Sequence, residues 1–219
     1  MPIFFQQQIN GTTRLGIWKI EETEDFFLSN VPLQKEVTHP HKRLQHLAGR
    51  FLLQFLFPGF PYELIRIADT RKPYLPDEEY HFSISHCGDY AAAIVSSDKR
   101  VGIDIEIPSG KIERIRHKFL SDDEISNFDP EVSGRYSKLG TLNPELLTLL
   151  WSAKEAVFKW HGIGAVDFRQ HIQLQKINEG DDTIRCFFAK TDQRLVIHHH
   201  QFDHLLLAWI MSNGHDGWA

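Results

Sequence analysis

Asp104 and Glu106 stand two apart in Val101-Gly102-Ile103-Asp104-Ile105-Glu106, and Lys154, Glu155 and Lys159 lie within Trp151-Ser152-Ala153-Lys154-Glu155-Ala156-Val157-Phe158-Lys159. The first stretch alternates as a strand does, so both carboxylates project from one face while Val101, Ile103, Ile105 and Ile107 project from the other. The second stretch is strongly helical, and residues four apart on a helix stack. Glu155 and Lys159 therefore share a face, with Lys154 beside it. If this helix crosses the polar face of the strand, three carboxylates and two ammonium groups converge. Such a set suits a hard divalent cation and the polyphosphate it bridges, because Mg²⁺ is usually held by one or two carboxylates plus substrate phosphate oxygens.

The elements that must position these groups follow from turn and cap residues. A helix is predicted from about Thr38, with Pro40 in its first turn, to about Phe57, where Pro58-Gly59 ends it. Leu44, Leu47, Phe51, Leu52 and Phe55 form its apolar side, and Arg43, His46 and Arg50 fall on one flank. Strands are predicted near Leu64–Ala68, Tyr80–Ser85 and Tyr90–Ser96, leading into the strand of Asp104 and Glu106. The order then repeats. Ser121 and Glu124 form a capping box opening a short helix, Asn143-Pro144-Glu145 reads as the start of the helix holding Lys154 to Lys159, and Gly162 reads as its stop. Strands are predicted near His171–Ile177, Thr183–Ala189, Arg194–His199 and Leu205–Met211. The segment from Phe128 to Leu142, with Pro130, Gly134 and Gly140, reads as a mobile loop.

The two strings resemble the signature of the 4′-phosphopantetheinyl transferases, a strand with Gly-x-Asp-x-Glu followed some tens of residues on by Trp-Ser-x-Lys-Glu-x-x-x-Lys. Upstream, Arg71-Lys72-Pro73-Tyr74 and His81-Phe82-Ser83-Ile84-Ser85-His86 look like the Gly-Lys-Pro and Phe-x-x-Ser-His elements of the larger, surfactin-synthetase-activating type. The likeness covers roughly residues 40 to 165. It departs at Cys87, where the family more often has serine, and at Arg71, where glycine is usual. The resemblance implies an α/β (α+β) fold of two similar halves, each a helix on a small antiparallel sheet, related by a pseudo-twofold with the active site between them. Residues 1–100 would supply coenzyme A phosphate and adenine contacts, and residues 101–219 the metal site and catalytic helix.

It further implies a holo-[acyl-carrier-protein] synthase type activity: the 4′-phosphopantetheine arm moves from coenzyme A to a serine of an apo acyl or peptidyl carrier protein, and 3′,5′-ADP leaves. Asp104, Glu106 and Glu155 would hold Mg²⁺ or Mn²⁺, and Glu155 is the favoured acceptor of the serine proton. Lys154 and Lys159 would hold the phosphates, with His86 as a further donor and Ser85 beside it among the coenzyme A contacts. Lys72 would lie nearer the adenine, and Arg43 and Arg50 are the candidates for the 3′-phosphate. The alternative is a coenzyme A or nucleotide binding module without catalysis, since fold does not dictate function.

Taken singly, each feature has a plainer reading. Asp104 and Glu106 alone would be the solvated face of an edge strand, and Glu155 with Lys159 a surface ion pair contributing about 0.2–0.5 kcal/mol. Their coincidence with the Lys72-Pro73 and Ser85-His86 elements reverses that. Trp151, Val157 and Phe158 read as core. His198, His199, His200 and His204 read as a solvated strand end, since only alternate residues share a face. Lys111, Glu113, Arg114, Arg116 and Lys118 read as a solvated helix face that could also meet an acidic carrier. A net charge of −5 over 219 residues, with lysines and arginines spread throughout, disfavours nucleic acid and a polybasic membrane patch. Two cysteines, Cys87 and Cys186, make no disulfide framework, and no long apolar segment indicates export or a membrane span. A cytoplasmic monomer is expected.

Overall fold

The structure, a computed structural model, describes residues 3–31, 33, 37–128, 143–178 and 182–213. Most of the loop expected from Phe128 to Leu142 lies outside the described residues. In chain order the elements are strands β1 (Ile3–Gln8) and β2 (Thr13–Lys19), helices α1 (Glu24–Leu28) and α2 (Pro40–Leu56), a 3-10 turn (Tyr62–Leu64), and strands β3 (Arg66–Ile67), β4 (Pro73–Tyr74), β5 (His81–Cys87) and β6 (Tyr90–Ser96). There follow β7 (Val101–Glu106), α3 (Lys111–Phe119), α4 (Asp122–Asn127), α5 (Pro144–His161), β8 (Ile172–Asn178), β9 (Thr183–Phe188), β10 (Gln193–Gln201) and β11 (Leu206–Met211).

The fold is mixed α+β, with a two-stranded β3-β4 ribbon and two larger antiparallel sheets. One runs β1-β2-β6-β5 and carries α2; the other runs β7-β11-β10-β9-β8 and carries α5. The capping residues act as their types predict. Asn143 Oδ1 accepts from the Leu146 N–H at 2.7 Å, and Gly162 ends α5 with φ +71°. Ser121 and Glu124 close the capping box at the start of α4.

Three apolar clusters hold the layers. Leu47, Leu52, Phe82 and Val95 bury α2 on the first sheet, while Leu150, Val157, Ile184 and Ile210 bury α5 on the second. Leu15, Ile17 and Ile94 of the first sheet meet Ile103, Ile105 and Leu207 of the second. The strand alternation of β7 thus has a consequence for the site. Its isoleucines face the junction between the sheets, and Gly102, Asp104 and Glu106 face α5. Gly102 permits that crossing, because a Cβ there would stand 2.0 Å from the Ala156 carbonyl oxygen of α5. The sheets are joined where β5 passes β7, with Ser83 Oγ accepting from the Ile103 N–H at 3.2 Å. Among the described residues no helix is long and apolar enough to cross a membrane.

Two expectations need correcting here. The Leu64–Ala68 strand shrinks to a 3-10 turn and two residues paired with Pro73-Tyr74. The histidines of β10 and its turn are a solvated strand end only in part: His200 and His204 are exposed, with His200 stacked on Phe5 and His204 Nε2 2.9 Å from the Tyr90 hydroxyl, but His199 is buried and His198 is half-buried against Trp209.

Candidate active site

Asp104 sits at the centre, on the α5 side of β7. One carboxylate oxygen accepts from Ser85 Oγ at 2.8 Å and from Lys159 Nζ at 2.6 Å, and the other accepts from Ser152 Oγ at 2.9 Å. Lys159 Nζ also donates to Ser85 Oγ at 2.9 Å. Strand β5, strand β7 and helix α5 therefore converge on one buried carboxylate. The helix crosses the strand's polar face as expected, but it brings Lys159 and not Lys154 to Asp104, which lies beneath the surface with its oxygens already engaged.

Glu155, one helical turn before Lys159, is half-buried. Burial and then the nearby Asp104 charge raise its carboxyl to about 7, with Lys159 working against them and Glu106 with them. Glu106 is also raised, by burial and then Asp104, while the Cys87 thiol and the Trp151 indole work the other way. Three carboxylates thus press on one another. This repulsion and the all-oxygen donor set fit a hard divalent cation. Among the described residues, however, no three His, Cys, Asp or Glu side chains are grouped so that they could hold a metal ion, and Lys159 supplies the positive charge beside Asp104.

A cavity of about 230 Å³ opens beside this cluster, walled by Arg71, Lys72, Pro73, Ser83, Phe158 and Lys159. Lys72 Nζ donates to the Trp160 carbonyl at 3.3 Å, and Thr70 Oγ1 to the Gly162 carbonyl at 3.1 Å, so the turn between β3 and β4 caps the C-terminal end of α5. The arginine-for-glycine departure has a backbone meaning: Arg71 has φ +66°, the left-handed region that favours glycine. His86 is exposed at the end of β5, next to Ser85.

Two expected ligand residues are committed elsewhere, and a third is buried. Lys154 is fully buried on another side of α5, where its ammonium donates to the Phe119 carbonyl at 2.7 Å, the Phe168 carbonyl at 2.8 Å and Glu124 at 2.8 Å. Adjacent helical residues are turned by about 100°, which separates it from Glu155 and Lys159. Arg43 clamps Glu24 through two bonds of 2.7 and 2.9 Å and donates to the Val37 carbonyl, tying α1 to α2. Arg50 is buried, lies 3.2 Å from His46 Nδ1, and its Nε has no partner.

Two contributing residues went unread. Ser152 stands three before Glu155 and seven before Lys159, so helical spacing already put it on their face. Glu124 was seen only as a cap, yet it also pairs with Lys154 and accepts from the Leu174 N–H at 2.8 Å; no local pattern signals such a long-range partner.

A sequence model of the 4′-phosphopantetheinyl transferase superfamily matches residues 100–211. Enterobactin synthase component D of Escherichia coli (strain K12) is 36% identical over 119 residues, 54% of this chain and 54% of that protein. The 4′-phosphopantetheinyl transferase AcpT of Escherichia coli O157:H7 is 27% identical over 151 residues, 65% of this chain and 72% of that protein. A component D protein of Salmonella austin is 33% identical over 118 residues. The matches to the component D proteins span about half the length of those relatives.

Proposed function

This chain belongs to the 4′-phosphopantetheinyl transferase superfamily, and from that premise we propose that it moves the 4′-phosphopantetheine arm of coenzyme A onto a serine of an apo acyl or peptidyl carrier protein. The observation that carries the reading is the Lys159–Asp104–Ser85 cluster with a near-neutral Glu155 one turn away. In the reaction the serine oxygen bonds to the β-phosphorus, the bond from that phosphorus to the bridging oxygen breaks, and 3′,5′-ADP leaves. The serine proton goes to Glu155, directly or through water; in the metal-free chain burial and then Asp104 raise this carboxyl to about 7. Lys159, partly exposed, faces the charge that builds on the phosphoryl oxygens, while Asp104 and Ser85 hold its ammonium in place.

Asp104, Glu106 and Glu155 would hold Mg²⁺ or Mn²⁺, which when bound neutralises pyrophosphate charge. His86 and Lys72 are the further coenzyme A contacts, at the pyrophosphate and toward the adenine. In this division residues 1–100 serve the nucleotide and residues 101–219 the metal and the chemistry. The upstream Lys72-Pro73 and Ser85-His86 elements favour the larger, surfactin-synthetase-activating type. A monomer suffices, because β5 and α5 line the same cavity.

Mass spectrometry of apo carrier proteins incubated with this protein, coenzyme A and Mg²⁺ tests the reading. The expected result is a gain of one phosphopantetheine on a serine. Coenzyme A binding with no transfer to any carrier would replace it with the non-catalytic binding module.

A further inference from the structure

A second cavity, of about 270 Å³, lies across Lys72 and Gly162 from the first, between the β3–β4 turn and the end of α5. Lys72, His81, Arg100 and His161 line it, and Glu78 is its one acidic lining residue. His161 is 9% exposed, its ring packs on Phe188 at 4.8 Å, and its Nε2 is buried with no hydrogen-bond partner. Among the described residues no carboxylate forms an ion pair with Lys72 or Arg100. We propose that this cavity is an anion site that takes a phosphate group, with Lys72, His81, Arg100 and His161 as its donors.

Burial and then Arg100 push the Lys72 ammonium down to about 8. His81 is lowered by burial first, with Glu78 pulling the other way and Arg100 and then Lys72 adding to the lowering, and His161 is lowered by burial, then by Lys190, Arg100 and Lys72. Each cation therefore makes its neighbours harder to charge. A dianion among them adds an attraction to each cation that offsets this mutual repulsion, and gives the His161 nitrogen an acceptor. Arg100, exposed at the mouth, offers a planar fork that suits phosphate oxygens. Phe82, Leu75 and Trp160 make the rest of the wall apolar, so the phosphate can be free or carried on a small organic body. This inference does not rest on the transferase reading, since neither coenzyme A nor a carrier enters it.

The test is a histidine-resolved NMR titration of the full chain with inorganic phosphate and, separately, with phenyl phosphate, without coenzyme A or metal. The expected result is saturable movement of the His81 and His161 ring signals, with affinity weakened roughly tenfold or more in Arg100→Gln and in His161→Asn. Tighter binding of phenyl phosphate assigns the site to a monoester; equal binding assigns it to the free ion. Arg100 is exposed, so its variant keeps the fold, which an unchanged Tm verifies. His81 and His161 ring signals that stay unmoved with both probes would overturn the proposal, as would an Arg100→Gln variant that binds both probes like the wild type.

Discussion

Helix α5 carries two lysine–carboxylate pairs that differ in access. Lys154 and Glu124 are sealed between α5, α4 and β8, with side chains 0% and 4% exposed, and all three ammonium donors are engaged by Glu124 and two carbonyls. Lys159 and Asp104 sit between α5, β5 and β7, and the lysine side chain is 26% exposed. Among the described residues Lys159 spends its donors on Asp104 and Ser85 only. A saturated, dry pair has nothing left to offer a substrate and serves the fold. A partly open pair with spare donor capacity can turn toward an incoming phosphate. The same two residue types thus become structure or chemistry according to what surrounds them.

The largest effect expected is on the sealed pair. Lys154→Ala leaves the Glu124 charge buried and uncompensated, which costs about 3–5 kcal/mol and lowers Tm by roughly 10 °C or more. Adding Glu124→Leu should return part of that stability. A Lys154→Ala protein that melts like the wild type but has lost transfer would erase the distinction between the regions. The matching change in the open pair, Lys159→Ala, should cut kcat by roughly 10²–10³-fold, with less than half the Tm loss of Lys154→Ala. Parallel melting curves and transfer assays of the two variants decide this.

Within the open region, Glu155→Gln should lower kcat by about 10²-fold, with partial recovery at high Mg²⁺ or with Mn²⁺. A rate indistinguishable from wild type at low metal removes Glu155 from the site. The pH dependence of stability sharpens the contrast further. Glu155 rises from an ordinary 4.5 to about 7 on folding, so the folded chain holds this proton more tightly. The resulting stability is complete below the ordinary value and is lost as pH rises through about 7. In chelator-containing buffer this group accounts for a fall of about 2–3 kcal/mol, which Glu155→Gln should flatten; equal slopes for both proteins would refute it. The smallest effect lies back on the sealed side. Ser121→Ala removes the cap of α4, the helix that presents Glu124, and should cost about 1 kcal/mol by chemical denaturation with transfer unchanged.

Local chemistry made much of this molecule legible. Asn143 and Gly162 bound α5, Ser121 with Glu124 opens α4, and the alternation of β7 turns Asp104 toward α5, because caps and strand faces depend on neighbours along the chain. Strands β1 and β2 went unread, since their partners include β6, some eighty residues away, and half of β1 is exposed and glutamine-rich. Arg43 looked available for a ligand on its helix flank, and only the packing of α1 against α2 brought Glu24 to it.

By itself the sequence determined the residue types of the site and their faces: two carboxylates on one side of a strand, and Ser152, Glu155 and Lys159 on one side of a helix. Those follow from helical and strand periodicity, which needs no knowledge of the rest of the chain. Only the tertiary structure decided that Asp104 is buried under three donors, that Glu155 is held near neutrality, and that Lys154 points into a sealed pocket to meet Glu124. Burial, charge proximity and donor saturation are properties of what packs around a group, and packing is set by residues distant in the chain.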